Sequence, residues 1–149
     1  MKVKQDLYNQ CFEFIENRLQ TIQTTIQDIQ KSLLSETKSS AGDKHETGRA
    51  MLQLEREKAG KQLSEIQKVK ASLSKINIEK TSNTVGLGSI VYTSKLNYFI
   101  AISAGEIELG NVKFYAISPS TPIAKLLLSK KVGDQITFRS LTFAVLKIE

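Results

Sequence analysis

The residues with the clearest capacity for chemistry are two carboxylates, Asp43 and Glu46, in the stretch Gly42-Asp43-Lys44-His45-Glu46. At the start of a helix, a spacing of three puts both acids on one side, close enough to share one divalent cation or a water attached to it. Two carboxylates alone make a weak metal site, so the remaining ligands would have to come from another macromolecule. The same spacing is also a capping-box arrangement, in which the Asp43 side chain accepts the backbone N–H of Glu46 and the helix dipole favours both acids. Spacing by itself leaves both readings open. Lys44 and His45, between the two acids, could contact phosphate or nucleic acid, or could be ordinary solvated side chains.

Little else in the chain could assemble an active site. Cys11 is the one cysteine and His45 the one histidine, so there is no disulfide, no zinc-type spacing and no nucleophile with a base beside it. No Gly-rich phosphate loop is present. Stand-alone catalysis is therefore not expected, and Cys11 reads as a small apolar side chain in a helix seam. The net charge of +6 is spread evenly, with 14 Lys+Arg against 11 Asp+Glu in residues 1–80 and 7 against 4 in residues 81–149. A mixed surface of this kind permits contact with nucleic acid or an acidic protein face without demanding either. Apolar runs such as Tyr98 to Ser103 and Ile123 to Leu128 are far shorter than a membrane span, and the N-terminus lacks an apolar signal core. The expectation is a cytoplasmic protein with no membrane partner.

The acids have to be positioned by long helices. From Asp6 to about Lys38 there is no Gly or Pro, and Ile15, Leu19, Ile22, Ile26, Ile29 and Leu33 alternate steps of four and three, the spacing of a coiled-coil seam. After a break at Ser39-Ser40-Ala41-Gly42 the pattern resumes, from about Asp43 to Ile76, with Leu52, Ala59, Leu63, Ile66, Val69, Leu73 and Ile76. Two helices joined by so short a break fold back antiparallel. A seam of about 30 residues at 1.5 Å per residue makes a rod on the order of 45 Å long, with its tip near residues 39–46. Because the two seams satisfy each other within one chain, a monomer is expected.

Lys80-Thr81-Ser82-Asn83-Thr84 carries no apolar residue, and beyond it β-branched and aromatic residues replace Gln, Glu and Lys. The domain boundary is placed there, with residues 1–80 as the hairpin and 81–149 as a small β domain. Five strands are expected, over Gly88 to Tyr92, Asn97 to Ser103, Val112 to Ile117, Gln135 to Phe138 and Thr142 to Ile148, with turns at Ser103-Ala104-Gly105, Leu109-Gly110-Asn111 and Val132-Gly133-Asp134. Thr121 to Leu128 reads as a short helix with Thr121 as N-cap and Pro122 at its first position, covering one face of the sheet. Ile90, Phe99, Phe114, Leu127, Phe138, Phe143 and Val145 are the candidate core. Tyr92, Tyr98 and Tyr115 are the candidates for a base-stacking surface, which would need them exposed together on one sheet face.

With rod, acidic tip and β domain in place, the chain resembles the Gre family of bacterial transcript-cleavage factors, GreA and GreB. The likeness covers most of the chain as architecture and is concentrated in two segments of sequence. Gly42-Asp43-Lys44-His45-Glu46 is similar to the family's Gly-Asp-x-x-Glu. Ser120-Thr121-Pro122-Ile123-Ala124-Lys125-Leu126-Leu127-Leu128-Ser129-Lys130, followed by Gly133-Asp134 and a strand, is similar to its Ser-Pro-(Ile/Leu)-(Ala/Gly)-(Arg/Lys)-x-Leu-(Ile/Leu)-Gly-Lys. After the second acid the family usually continues Asn-Ala-Glu-Tyr, where this chain has Thr47-Gly48-Arg49-Ala50.

The resemblance implies an α+β fold, in which an N-terminal antiparallel coiled-coil hairpin precedes a small FKBP-like antiparallel β-sheet domain with one short helix. It implies a regulator of transcription elongation whose β domain docks on RNA polymerase beside the secondary channel while the hairpin enters it. Asp43 and Glu46 would then help the polymerase active site hold a second Mg²⁺ and an attacking water for cleavage of backtracked RNA. No cofactor would be held by this chain alone. Lys44, His45, Pro122 and Lys125 become the expected partner contacts, with polymerase and nascent RNA as partners and DNA as an open further contact. Two alternatives stand beside this expectation: a polymerase-binding regulator of the same architecture that stimulates no cleavage, and an FKBP-like peptide binder or prolyl isomerase with a helical dimerisation arm.

Overall fold

A computed structural model describes the backbone of residues 2–38 and 42–149 and the side chains of residues 2–36 and 46–149. Of the expected break at Ser39-Ser40-Ala41-Gly42, the first three residues lie outside the described residues, as do the side chains of Asp43, Lys44 and His45, while Gly42 belongs to a helix. The elements in chain order are α1 (Lys2–Lys38), α2 (Gly42–Ser74), β1 (Ile90–Thr93), β2 (Asn97–Ile100), β3 (Gly105–Leu109), β4 (Val112–Ile117), α3 (Pro122–Leu127), β5 (Gln135–Phe138) and β6 (Leu141–Ile148). Two compact units emerge. One is Ile15–Lys70, and the other joins Met1–Phe14 to Ala71–Glu149.

In the Ile15–Lys70 unit the expected seam is the buried one. Ile15, Ile22, Ile26 and Ile29 of α1 and Ala59 and Ile66 of α2 are buried, with Leu19, Leu33, Leu52, Leu63 and Val69 half-buried between them. The intervening Gln, Thr, Lys and Glu face water, so each helix offers only a narrow apolar stripe and each needs one partner. The antiparallel register is marked at two places. Lys70 pairs with Glu16, and a Cβ built on Gly48 would lie 3.8 Å from the Glu36 carboxyl.

The second unit holds a sheet of strand order β3-β4-β2-β1-β6-β5. The sheet is open, as in FKBP-like folds, and it is mixed, which corrects the all-antiparallel expectation: β2 and β4 run parallel, with Asn97 opposite Phe114 and Ile100 opposite Ile117. It has six strands rather than five. The extra one, β3, pairs antiparallel with β4 from Gly105↔Ala116 to Leu109↔Val112. Its insertion as an edge strand is what lets β4 lie beside β2 in the same direction, because two reversals of the chain separate them.

Strand alternation sorts the core into two faces. Val91, Tyr98, Ile100, Phe143 and Val145 share one cluster with Ala124 and Leu127 of α3. The opposite face carries Ile90 and Phe99, both fully buried, and Phe114 and Ala116, each 2% exposed. So the sheet is covered on both faces, not only on the α3 side. The helix ends belong to this unit, and in it Leu7, Cys11, Leu73 and Ile76 are buried. Gly88, at φ +87, shows how close the approach is: a Cβ there would sit 2.9 Å from Ile76 Cγ2. Buried Lys4 satisfies its ammonium on the Lys80 carbonyl at 3.0 Å.

Local departures from low-energy backbone include Ser129, left-handed at φ 69 just after α3, a turn and a bulge. The turn joining β5 to β6 places Arg139 at φ 51 and Ser140 at φ 70. A non-glycine residue held left-handed costs about 1–2 kcal/mol, and this tight hairpin connection needs positive φ at both of its central positions. In addition, β6 carries one extra residue opposite β1 between Val145 and Lys147, a bulge that leaves Leu146 exposed.

Candidate functional site

The tip is built on the first residues of α2. The helix runs from Gly42, so positions 43 and 46 lie within it, three apart and on one face by the helical period. Glu46 is exposed, and so is Arg49, three residues further along the same face. Carboxylate oxygens are the donors Mg²⁺ prefers, but that ion demands a near-octahedral shell. Two carboxylates would supply only part of such a shell, and the rest would have to come from waters and from groups of a partner. Among the described residues there is no group of three or more His, Cys, Asp or Glu that could hold a metal.

The second candidate surface lies on α3. Thr121 caps this helix as its sequence requires: its hydroxyl accepts the Ala124 N–H at 3.4 Å and donates to the Ser118 carbonyl at 2.8 Å. Pro122 follows at the first helical position. Because Ala124 and Leu127 are turned into the core, Pro122 and Lys125 are turned out, and both are exposed. Leu126 joins them at 39% exposure. The structure thus brings Pro122 and Lys125 together on one outward face and adds Leu126. The sequence signal for Leu126 was its offset of four from Pro122 on the side away from Ala124 and Leu127.

The three tyrosines do not make a stacking platform. Tyr92 lies on the face opposite Tyr98 and Tyr115, edge-on to Phe114 with ring centroids 5.8 Å apart. Its hydroxyl donates to Glu149 Oε2 at 3.2 Å. Burial, and secondarily the neighbouring Glu149 carboxylate, push the Tyr92 phenol up to about 12. Tyr98 is only 8% exposed, and Tyr115 donates to Glu106 Oε1 at 3.0 Å. Cys11 is buried, and burial pushes its thiol up to about 12. A thiol so far from ionising is a core side chain rather than a nucleophile.

No helix among the described residues is long and apolar enough to cross a membrane. No protein-family model matches the chain, and no curated protein matches it. Solved structures do. One described as GreA factor homolog 1 (Gfh1) of Thermus thermophilus has 21% identity over 93% of this chain and 94% of that one, with a TM-score of 0.38. Another, described as the transcription factor Gfh1, has 23% identity over 92% of each chain, with a TM-score of 0.37.

Proposed function

We propose that this chain is a Gre-type regulator that binds RNA polymerase, docks through its β domain and places its hairpin in the secondary channel. The observation that supports it best is the combination of a two-helix rod whose seam is satisfied within the chain with a small mixed sheet whose capped α3 turns Pro122 and Lys125 outward. Leu34, Met51 and Leu54 stay exposed on the rod, but its seam needs no second copy, so the hairpin is suited to entering a confined space alone. Pro122, Lys125 and Leu126 offer an apolar contact beside a cation, a composition suited to docking on a protein surface.

Two versions of this function differ at the tip. In the one we favour, the factor regulates by occupying the channel and cuts nothing. Arg49 stands three residues after Glu46 on the same helical face, and its positive charge opposes a divalent cation that Glu46 would have to share. In the second version, favoured by the spacing of Asp43 and Glu46 within a helix, the tip acids complete a Mg²⁺ site inside the polymerase. Hydrolysis would then belong to the polymerase, with the carboxylates helping to hold the ion that activates water.

The test uses stalled, backtracked elongation complexes of the matching polymerase, with binding and RNA length measured together. Binding without shortening of the RNA supports the channel-occupying regulator. Mg²⁺-dependent shortening by wild type that is lost in Asp43→Ala/Glu46→Ala selects the cleavage version. Failure to bind the polymerase at all would overturn both.

A further inference from the structure

We propose that the outer edge of β5 is a docking site for an extended, acidic segment of a partner protein, which adds to the sheet as one more strand. This stands apart from the polymerase reading, because it rests on backbone geometry in the β domain and needs neither the rod nor the tip.

The sheet ends in two strands, β3 on one side and β5 on the other. They are not alike. β3 carries exposed Glu106 and Glu108, charges of the kind that discourage another chain from pairing there. β5 reads Gln135-Ile136-Thr137-Phe138, with no charge, no proline and no glycine.

The register shows which backbone groups of β5 are free. Its turn closes the Phe138↔Leu141 pair, so the hydrogen-bonded pairs of the ladder alternate from there and include Ile136↔Phe143. The next such link is present, with the Val145 N–H donating to the Asp134 carbonyl at 2.9 Å. Gln135 and Thr137 are therefore the residues whose N–H and C=O point away from β6, and β6 is the one strand that pairs with β5. Two residues on alternate positions are what an incoming strand pairs with.

The charge around this edge selects the partner. Lys130 and Lys131 precede β5 and Arg139 follows it. The one acid in residues 130–141, Asp134, accepts the Lys131 backbone N–H through its carboxylate at 2.8 Å. Arg139 is held over the Phe138 ring at 5.0 Å and sits in the strained left-handed turn, where Asn-Gly would be relaxed. The ring contact places the guanidinium at the end of an open strand edge. Leu141, 58% exposed and opposite Phe138, adds an apolar contact beside it. The fitting partner is an extended segment with β-branched residues in its middle and carboxylates at its ends.

The full chain would be titrated with a capped peptide, Glu-Val-Thr-Val-Thr-Val-Glu, and with its Lys-ended counterpart, while amide exchange is read by NMR. The Glu-ended peptide should slow exchange at Gln135 and Thr137 at least tenfold, and the Lys-ended one should not. Thr137→Pro removes an outward N–H and should abolish the protection. Arg139→Glu, a change in an exposed turn that leaves the strand intact, should abolish the preference between the two peptides. Unchanged exchange at Gln135 and Thr137 would overturn the proposal. So would protection that appears without peptide and rises with protein concentration, which would assign the edge to a second copy. Protection by a single-stranded oligonucleotide but not by the peptide would also refute it.

Discussion

Shortening one seam residue of the rod, Ile26→Ala, should loosen the Ile15–Lys70 unit by a predictable amount. Ile26 is 8% exposed and sits between Ile22 and Ile29, which are 7% and 8% exposed. The substitution removes three carbons, worth about 2.4 kcal/mol at about 0.8 kcal/mol per buried methylene. Alanine recovers about 0.4 kcal/mol through its better helix propensity. The net cost is about 2 kcal/mol, near the low end of the range for such truncations, as befits a seam with only one layer of neighbours. Amides in this unit that exchange through opening of the seam, such as those of Ile22, Ile29 and Ile66, should therefore exchange about 30-fold faster, at 1.4 kcal/mol per factor of ten. The amides of Phe99 and Val145, in the other unit, should be unaffected. Unchanged exchange along α1 and α2 would mean that the buried stripe does not hold the helices together. An equal acceleration in both units would mean that they open as one.

Two glycines two residues apart should behave oppositely: Gly88→Ala, at φ +87 and against Ile76, should cost about 2 kcal/mol. Gly86→Ala, with nothing within 4 Å of the added Cβ, should be neutral or slightly stabilising in the same urea titration. Thr121→Ala should cost about 1 kcal/mol by removing the cap of α3, and Thr121→Ser should restore most of it. The pH dependence has a definite sign at Tyr92, whose phenol is raised from 10.0 to about 12 by burial. The folded state holds this proton more tightly than the unfolded chain, so its contribution is complete below pH about 10 and is lost as pH rises toward about 12. Tyr92→Phe should shrink that alkaline decline in thermal melts, leaving the part due to Cys11, Tyr98 and Tyr115, whose acidic groups are also raised.

The helical half of this fold was legible in the sequence because its rule is local. Steps of three and four named the stripe residue by residue, and Ile22, Ile26, Ile29, Ala59 and Ile66 are all buried. Capping chemistry was equally local, and Thr121 and Pro122 take the places their types suggest. What escaped was β3. Gly105-Glu106-Ile107-Glu108-Leu109 offers two apolar residues between turn signals, and its polar members suit an edge strand rather than a buried one. The parallel pairing of β2 with β4 could not be read either, because strand direction depends on which strands lie between, and that rests on β3. Phe138, expected in the core, is half-buried because it ends β5 and carries Arg139 over its ring. At the tip, the spacing of Asp43 and Glu46 was visible from the start, but spacing suits a helix cap as well as a cation.

The order of strands in the sheet also constrains the order in which the molecule can be made. β1 lies between β2 and β6, so one of its two neighbours is the last strand in the sequence. During synthesis the two long helices can pair as soon as both have emerged, and β3 with β4 can close as a local hairpin. β1, in contrast, waits with one side unpaired until Leu141–Ile148 arrives, and β5 has no strand to join before then. A ribosome stalled short of Leu141 would hold a finished rod and an unfinished sheet, with Val91 of β1 still open to solvent or to a chaperone.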